Sequence, residues 1–551
     1  MRRGTSDRNV VIANKHLFGY QTFIHAIGDA TGEMLMKTAR NLTYLLCSAA
    51  SLAAIGGAQA ADLPLKAKAV EYVRVCSLYG AGFFYIPGTD TCIKLGGYLR
   101  VDATFNGGVH GQPAWSGDIG QQNRYADYFA ARSRLAFTID TRTQTEYGLV
   151  RTFGQADIQF STLGNNTFNP NSLATNLGNN AQLLDSAGGG YVAVEYVFLQ
   201  FAGFTFGKSA SAYASPWQGF PGNNSSNLLG GQNTDTGVNN IQYTAQFGNG
   251  VSASIGLDDP TVWDRTSLYN LSTGLNAVGV TGNAYGGVQS PDVVGNVRID
   301  QAWGLFQLSA AAHEVNGSYN ILTATTAAPT NLSEISGHPE TKWGGSVMAA
   351  LNIKNIPTGA GDDLKIDASY AKGDTKNVIA TSGTSPSFAM FGSSGRAYQS
   401  VGFGATTDAV YLPGTTNIEL TEAFGVRGAY NHNWDPYWST SLYGSASFVR
   451  YDGAAKAAYC ATYVASNKLT AANTSADFSC NPNFNAYQVG LVTRWTPVKN
   501  LTFSAEVQYF RLDQNFSGTA VLTPAAPKPS TVYEFKDQNT VFLEFRAQRN
   551  F

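Results

Sequence analysis

Ile241-Gln242-Tyr243-Thr244-Ala245-Gln246-Phe247-Gly248-Asn249-Gly250-Val251-Ser252-Ala253-Ser254-Ile255-Gly256-Leu257 reads as two alternating runs around a turn. Ile241, Tyr243, Ala245 and Phe247 share one parity, and Gln242, Thr244 and Gln246 the other. Successive side chains of a strand point to opposite faces, so each run has one apolar and one polar face. Gly248-Asn249-Gly250 supplies the short Gly-containing link of a hairpin.

Working outward, the same period of two recurs. Leu95, Leu99, Val101, Ala103 and Phe105 oppose Lys94, Tyr98, Arg100, Asp102 and Thr104. The pattern predicts sixteen strands: 94–105, 129–140, 146–160, 191–201, 203–208, 241–247, 251–257, 293–301, 305–313, 343–353, 364–371, 422–431, 439–448, 487–496, 501–510 and 540–551. In the third, Arg151 and Leu149 fall on one parity, which leaves its phase open.

The links alternate in length. Short ones are 141–145, Ala202, Gly248–Gly250, Ala302–Gly304, Lys354–Asp363, His432–Trp438 and Pro497–Asn500. Long ones, rich in Gly, Asn, Ser and Thr, are 106–128, 161–190, 209–240, 258–292, 314–342, 372–421, 449–486 and 511–539. A soluble sandwich has no reason to collect its long loops at one end. A transmembrane barrel has short periplasmic turns, long extracellular loops and an even strand number. Hydrocarbon offers backbone N–H and C=O groups no partner, so the sheet must close. The fold class is therefore all-β: a 16-stranded antiparallel transmembrane β-barrel. Trp303, Trp434, Tyr437, Trp438 and Trp495 sit at the short turns, where amphipathic rings mark the membrane boundary.

Composition agrees. The 551 residues are 13% charged and 12% aromatic, with 59 Gly, a balance that argues against disorder. A net charge of −2 argues against a nucleic-acid partner. No run of 18 apolar residues marks a spanning helix.

At the amino end, Lys37 and Arg40 precede the apolar run Leu42–Ile55 and the A-x-A site Ala58-Gln59-Ala60. This predicts a signal peptide over 34–60, a mature start at Ala61 and an over-called gene start over 1–33. A periplasmic segment, 61–93, then leads into the barrel, 94–551. Removing residues 1–60 takes away six basic and three acidic residues, so the charge falls from −2 to −5. Cys76, Cys92, Cys460 and Cys480 remain, and an even number in an exported chain favours two disulfides. Of three pairings, Cys76–Cys92 with Cys460–Cys480 is the simplest.

Several motifs, in order, resemble one known family. Cys76-Ser77-Leu78-Tyr79-Gly80-Ala81-Gly82-Phe83-Phe84-Tyr85-Ile86-Pro87-Gly88-Thr89-Asp90-Thr91-Cys92-Ile93-Lys94 is similar to the amino-terminal signature of the alphaproteobacterial porins, the rhizobial and Brucella kind. So are Phe204-Thr205-Phe206-Gly207-Lys208, Tyr243–Gly250, Asp300-Gln301-Ala302-Trp303-Gly304 and Lys354–Asp362. The resemblance implies a trimeric sixteen-stranded outer-membrane porin whose third external loop, here 209–240, folds into the pore. Thr540–Phe551 resembles the terminal strand of outer-membrane proteins, whose final aromatic, here Phe551, is read by the barrel-insertion machinery. Expected surroundings are outer-membrane lipid and lipopolysaccharide.

No enzyme signature is present: no G-x-S-x-G, no H-E-x-x-H and no C-x-x-C pair. His110, His313, His338 and His432 are scattered and read as structural. Neither a cofactor nor a metal is expected. Strand parity instead points Arg100, Arg132, Arg134, Arg298, Lys365, Arg427, Arg494 and Arg546 into the lumen. Asp102, Asp140, Asp300, Asp367, Glu506 and Glu544 point the same way. Because first and last strands are neighbours, Arg100, Arg132, Arg134, Arg546 and Arg494 are expected to form a basic wall. Local pairing, such as Arg100 with Asp102 or Arg298 with Asp300, is the competing reading. The inserted loop carries Tyr213, Trp217 and Phe220, and Asp235 is its single charge. The reading is passive diffusion of small hydrophilic solutes and ions, with weak cation or anion preference. Its rivals are a sugar- or peptide-selective channel and a plugged barrel.

Overall fold

The computed structural model describes residues 74–551, apart from 125, 127, 162–190, 218, 233–234, 262–263, 321–333, 335–336, 382–384 and 412–416. The signal-peptide reading, the segment 1–33 and the first residues of the periplasmic segment lie outside the described residues.

Among the described residues sixteen antiparallel strands form one closed ring. They are β1 (Thr91–Phe105), β2 (Phe129–Thr145), β3 (Gly148–Ser161), β4 (Tyr191–Phe201), β5 (Phe204–Ser209), β6 (Val238–Gly248), β7 (Val251–Asp258) and β8 (Asp292–Gln301). The second half is β9 (Gly304–Val315), β10 (Lys342–Lys354), β11 (Asp363–Lys372), β12 (Glu422–Asn433), β13 (Trp438–Arg450), β14 (Phe484–Val498), β15 (Leu501–Gln514) and β16 (Gln538–Asn550). Each lies on a predicted segment, and each pairs with its sequence neighbours.

The ring closes where β1 meets β16, with Tyr98 opposite Asn550 and Phe105 opposite Leu543. The terminal residue completes the seam: Phe551 N donates to Gly97 O at 3.1 Å, and Gly97 N to Phe551 O at 3.3 Å. Gly97 has φ +149°, and a Cβ there would stand 1.9 Å from Ala136 O. Only glycine fits between these two neighbours.

Burial runs opposite to that of a soluble protein. Leu99, Val101, Leu135, Ile158, Val297 and Leu308 are exposed on the outer parity. Asp102, Arg132, Gln159, Asp367, Arg427 and Glu506 are buried on the inner parity. An apolar exterior around a polar interior is the requirement of a barrel in lipid.

The open phase of β3 is resolved by its register with β2. Gln155 pairs with Thr138, Asp157 with Ala136 and Gln159 with Arg134, so odd positions face inward throughout. Leu149 is therefore an inward apolar residue next to the periplasmic turn. In β4 the register shifts between Gln155 and Ala156 of its partner, which leaves Glu195 as an extra residue. Both Glu195 and Tyr196 are consequently buried.

Cys76–Cys92 and Cys460–Cys480 are both bonded, with Cα–Cα distances of 6.1 and 5.7 Å. The link 451–483 is more than a loop. It holds helix α1 (Gly453–Ser466), capped by the Asp452 carboxylate, which accepts from Ala455 N at 2.7 Å. An acidic cap followed by an alanine-rich run is a helix start that the Gly/Asn count over 449–486 concealed.

Candidate functional site

The third extracellular link, 210–237, turns inward and follows the inner wall from β8 to β16. At its start, Ala212 O accepts from Asn296 Nδ2 at 2.5 Å and Ala214 O from Gln307 Nε2 at 2.8 Å. Tyr213 packs there against Val294, Met348 and Ala350, with Trp217 beside it. Further on, Phe220 and Leu228 pack against Ala429, Tyr443 and Val492. Arg427 lies 5.5 Å over the Phe220 ring and donates to Leu228 O at 3.1 Å and to Gln232 O.

The tip of the loop is bonded to the far wall. Arg494 donates to Gly222 O at 2.7 Å and to Asn224 Oδ1 at 3.2 Å. Arg546 donates to Asn224 O at 2.7 Å. Glu506 Oε2 accepts from Asn224 N at 2.8 Å and Ser225 N at 3.1 Å. Gln488 bridges Asn227 O and Leu229 N at 2.7 and 2.8 Å. On its return, Thr236 bonds the Glu195 carboxylate of β4.

Above β11–β15 the mouth is filled. Inward Ala371, Ala423, Val449, Phe484, Ala486 and Phe510 pack with Phe388, Phe391 and Phe403 of the link 373–421. Tyr459 and Tyr463 of α1 and Tyr533 and Phe535 of the link 515–537 complete this apolar core, together with Trp115 and Leu229. Polar side chains stay partly exposed on inward positions elsewhere, among them Tyr98, Arg100 and Arg134 on β1 and β2 and Gln242, Ser254 and Asn296 on β6–β8.

Around β1–β2 and β14–β16 the arginines gather, and three of the five are paired with carboxylates. Arg132 binds Asp102 at 2.5 Å, and Arg546 binds Asp102 at 2.6 Å and Glu544 at 2.7 Å. Arg134 binds Asp157 at 2.6 Å and approaches Glu195 at 3.9 Å. Arg100 meets neutral partners among the described residues: Gln548 Oε1 at 2.8 Å and the Tyr98 ring at 4.4 Å. Arg494 adds Ser441 Oγ at 2.7 Å to its loop contacts. Five guanidiniums thus lie among five carboxylates: Asp102, Asp157, Glu195, Glu506 and Glu544. An unbalanced basic wall is not what the structure contains. Removing ions from water is costly unless each finds a partner, and the most buried of these guanidiniums, Arg132 and Arg546, are the ones that share Asp102.

The other predicted charges lie elsewhere. Arg427 pairs with Asp367 at 2.9 Å, both fully buried under the inserted loop. Arg298 and Asp300 bind each other at 3.0 Å near the periplasmic turn, with Lys354 at 3.3 Å. Lys365 binds Asp363 at 3.2 Å. Asp140 binds Arg142 and Arg151, each at 3.0 Å. Asp102 serves Arg132 and Arg546, and Arg100 binds Gln548 instead. Asp157 and Glu195 were missed in the sequence. Asp157 shares the parity of Arg151, the signal that would have found it. Nothing local announced the extra residue at Glu195.

Comparison with known proteins fits this arrangement. A family model described as "Porin subfamily" matches residues 62–543. Porin Omp2b of Brucella canis is 32% identical over 265 residues, which cover 48% of this chain and 63% of that relative. Porin Omp2b of Brucella abortus strain 2308 aligns with the same identity and coverage. The outer membrane channel DcaP of Acinetobacter baumannii superposes with a TM-score of 0.52 at 14% identity, over 85% of this chain and 99% of that one. This last likeness concerns the fold alone. Barrel and family together place the protein in the bacterial outer membrane. The matched span covers most of the chain and fifteen of the sixteen barrel strands in full, and the chain belongs to the porin subfamily.

Proposed function

We propose that the chain is a passive diffusion channel for small hydrophilic solutes and ions. The observation that carries this is the divided lumen. An apolar core fills the mouth over β11–β15 and the inserted loop crosses the interior, while polar side chains stay partly exposed on inward positions of β1, β2 and β6–β8. In this reading the loop 210–237, which carries Asp235, narrows the path, and Tyr213, Trp217 and Phe220 hold it against the inner wall. The balanced charges of the wall give weak ion preference, because rings of unpaired charge are what set selectivity. Small outward residues Gly97, Ala103, Ala131 and Ser133 on β1 and β2 favour close subunit approach and a homotrimer. Phe551 at the seam serves as the insertion signal.

One observation favours the second reading, a sugar-selective channel. Phe153 and Phe198 face inward, partly exposed, and stack with centroids 5.4 Å apart. Arg151 lies 5.3 and 5.5 Å over these rings. Aromatic faces of this kind suit the apolar faces of sugars. Liposome swelling with sugars of graded size separates the readings. Diffusion predicts rates that fall with size and ignore stereochemistry. Saturation by one sugar selects the second reading, and absence of swelling selects a plugged barrel.

A further inference from the structure

The inserted loop does not bound the lumen alone. Between its tip and the β1–β2 wall lies a turn of the first extracellular link. Gly107 and Pro113 bridge its base, and within it Gly108 N donates to Gln112 O at 2.8 Å. Asn106 anchors one side, donating to Val541 O at 2.6 Å and Thr540 Oγ1 at 3.0 Å. Trp115 anchors the other, 5.0 Å from Phe510 and 5.5 Å from Phe388 in the apolar core.

His110 at the apex spans the gap. Its carbonyl accepts from Ser226 N at 3.1 Å and Asn227 Nδ2 at 2.9 Å, both in the inserted loop. Its Nδ1 lies 2.5 Å from Arg132 Nη1 on β2. A guanidinium only donates, so Nδ1 accepts and the ring is neutral. The next residue has no spare room. A Cβ on Gly111 would stand 2.1 Å from Glu544 Oε2 and 2.5 Å from Ser225 Cβ. Gly111 also has φ +71°, which disfavours any side chain.

We infer that this turn is a wedge, and that His110 is a positioning residue that sets the width of the diffusion path. The inserted loop supplies one edge of the constriction, and His110 closes the space between that edge and Arg132. This rests on the diffusion reading above. It makes the first extracellular link, as well as the third, a determinant of solute size.

The test compares single-channel conductance in planar bilayers and the sugar size cut-off in liposomes. His110→Ala removes the ring and keeps the carbonyl. The expected result is a larger conductance and a cut-off shifted to larger sugars. His110→Gln keeps an acceptor and much of the bulk and should return both towards wild type. Gly111→Val forces a side chain against Ser225 and should also change conductance; if it does not fold, His110→Ala still decides. Wild-type conductance and cut-off in His110→Ala would overturn the inference and leave the diffusion reading standing. A silent wild-type protein would overturn both.

Discussion

Arg100 and Arg427 show how differently two inward arginines are used. Arg427 is fully buried, holds Asp367 at 2.9 Å and supports two carbonyls of the inserted loop. Arg427→Ala leaves a buried carboxylate without its cation, which is expected to cost about 3–5 kcal/mol. Denaturant unfolding in detergent micelles checks this, and a loss well under 1 kcal/mol would contradict the assignment. Arg100 is partly exposed and has neutral partners, so its charge is the one least cancelled on the open wall. Arg100→Ala should shift the reversal potential under a KCl gradient towards the potassium potential. The shift should shrink in high salt, since screening at physiological ionic strength already acts within about 8 Å. An unchanged potential would place Arg100 off the ion path. Parity made both side chains legible as inward. Their partners were not legible, because a pairing such as Arg134 with Asp157 depends on register between strands, and the phase of β3 was ambiguous.

Among the elements, the strands were the most legible part. Alternation over eight or more residues has one physical meaning where one face meets lipid and the other a wet lumen. Helix α1 and the bulge at Glu195 were hidden, the first inside a link rich in small polar residues and the second in a single extra residue. The wedge turn was also unreadable, since His110 acts through contacts distant in sequence. Its chemistry predicts a pH response. Withdrawal from water, then the nearby guanidiniums of Arg132 and Arg134, holds His110 well below the usual imidazole range. Asp102 opposes this and Arg100 adds to it; the inserted loop contributes Ser225, Ser226 N and Asn227, and the Glu544 carboxylate stands beside the neighbouring Gly111. With the turn displaced, the ring regains an ordinary pKa of about 6.5. The displaced state then binds the extra proton, so the wedge is firmest above that pH and weakens as pH falls below it. Open-channel noise should rise in wild type between about pH 7.5 and about pH 5, while His110→Gln stays flat over that range. Equal pH responses in the two proteins would contradict the role of the ring.

For the whole molecule, closure and loop polarity could be read from link lengths alone. The apolar core over the mouth could not. Its members, such as Phe388, Phe403, Tyr463 and Phe535, come from separate links and meet only in three dimensions. In the proposed reading that core matters most, because it fills the mouth over β11–β15 and leaves passage to the walls it does not cover, β1 and β2 among them. Thiol labelling during conduction tests this division most directly. The four described cysteines are tied in two disulfides, so an introduced thiol is the reactive one. Arg100→Cys sits on the open wall, and Ala486→Cys lies within the apolar core. The account predicts that a charged methanethiosulfonate reagent reduces current through the Arg100→Cys channel promptly and leaves the Ala486→Cys channel unaffected. Prompt block at position 486 with none at position 100 would contradict it.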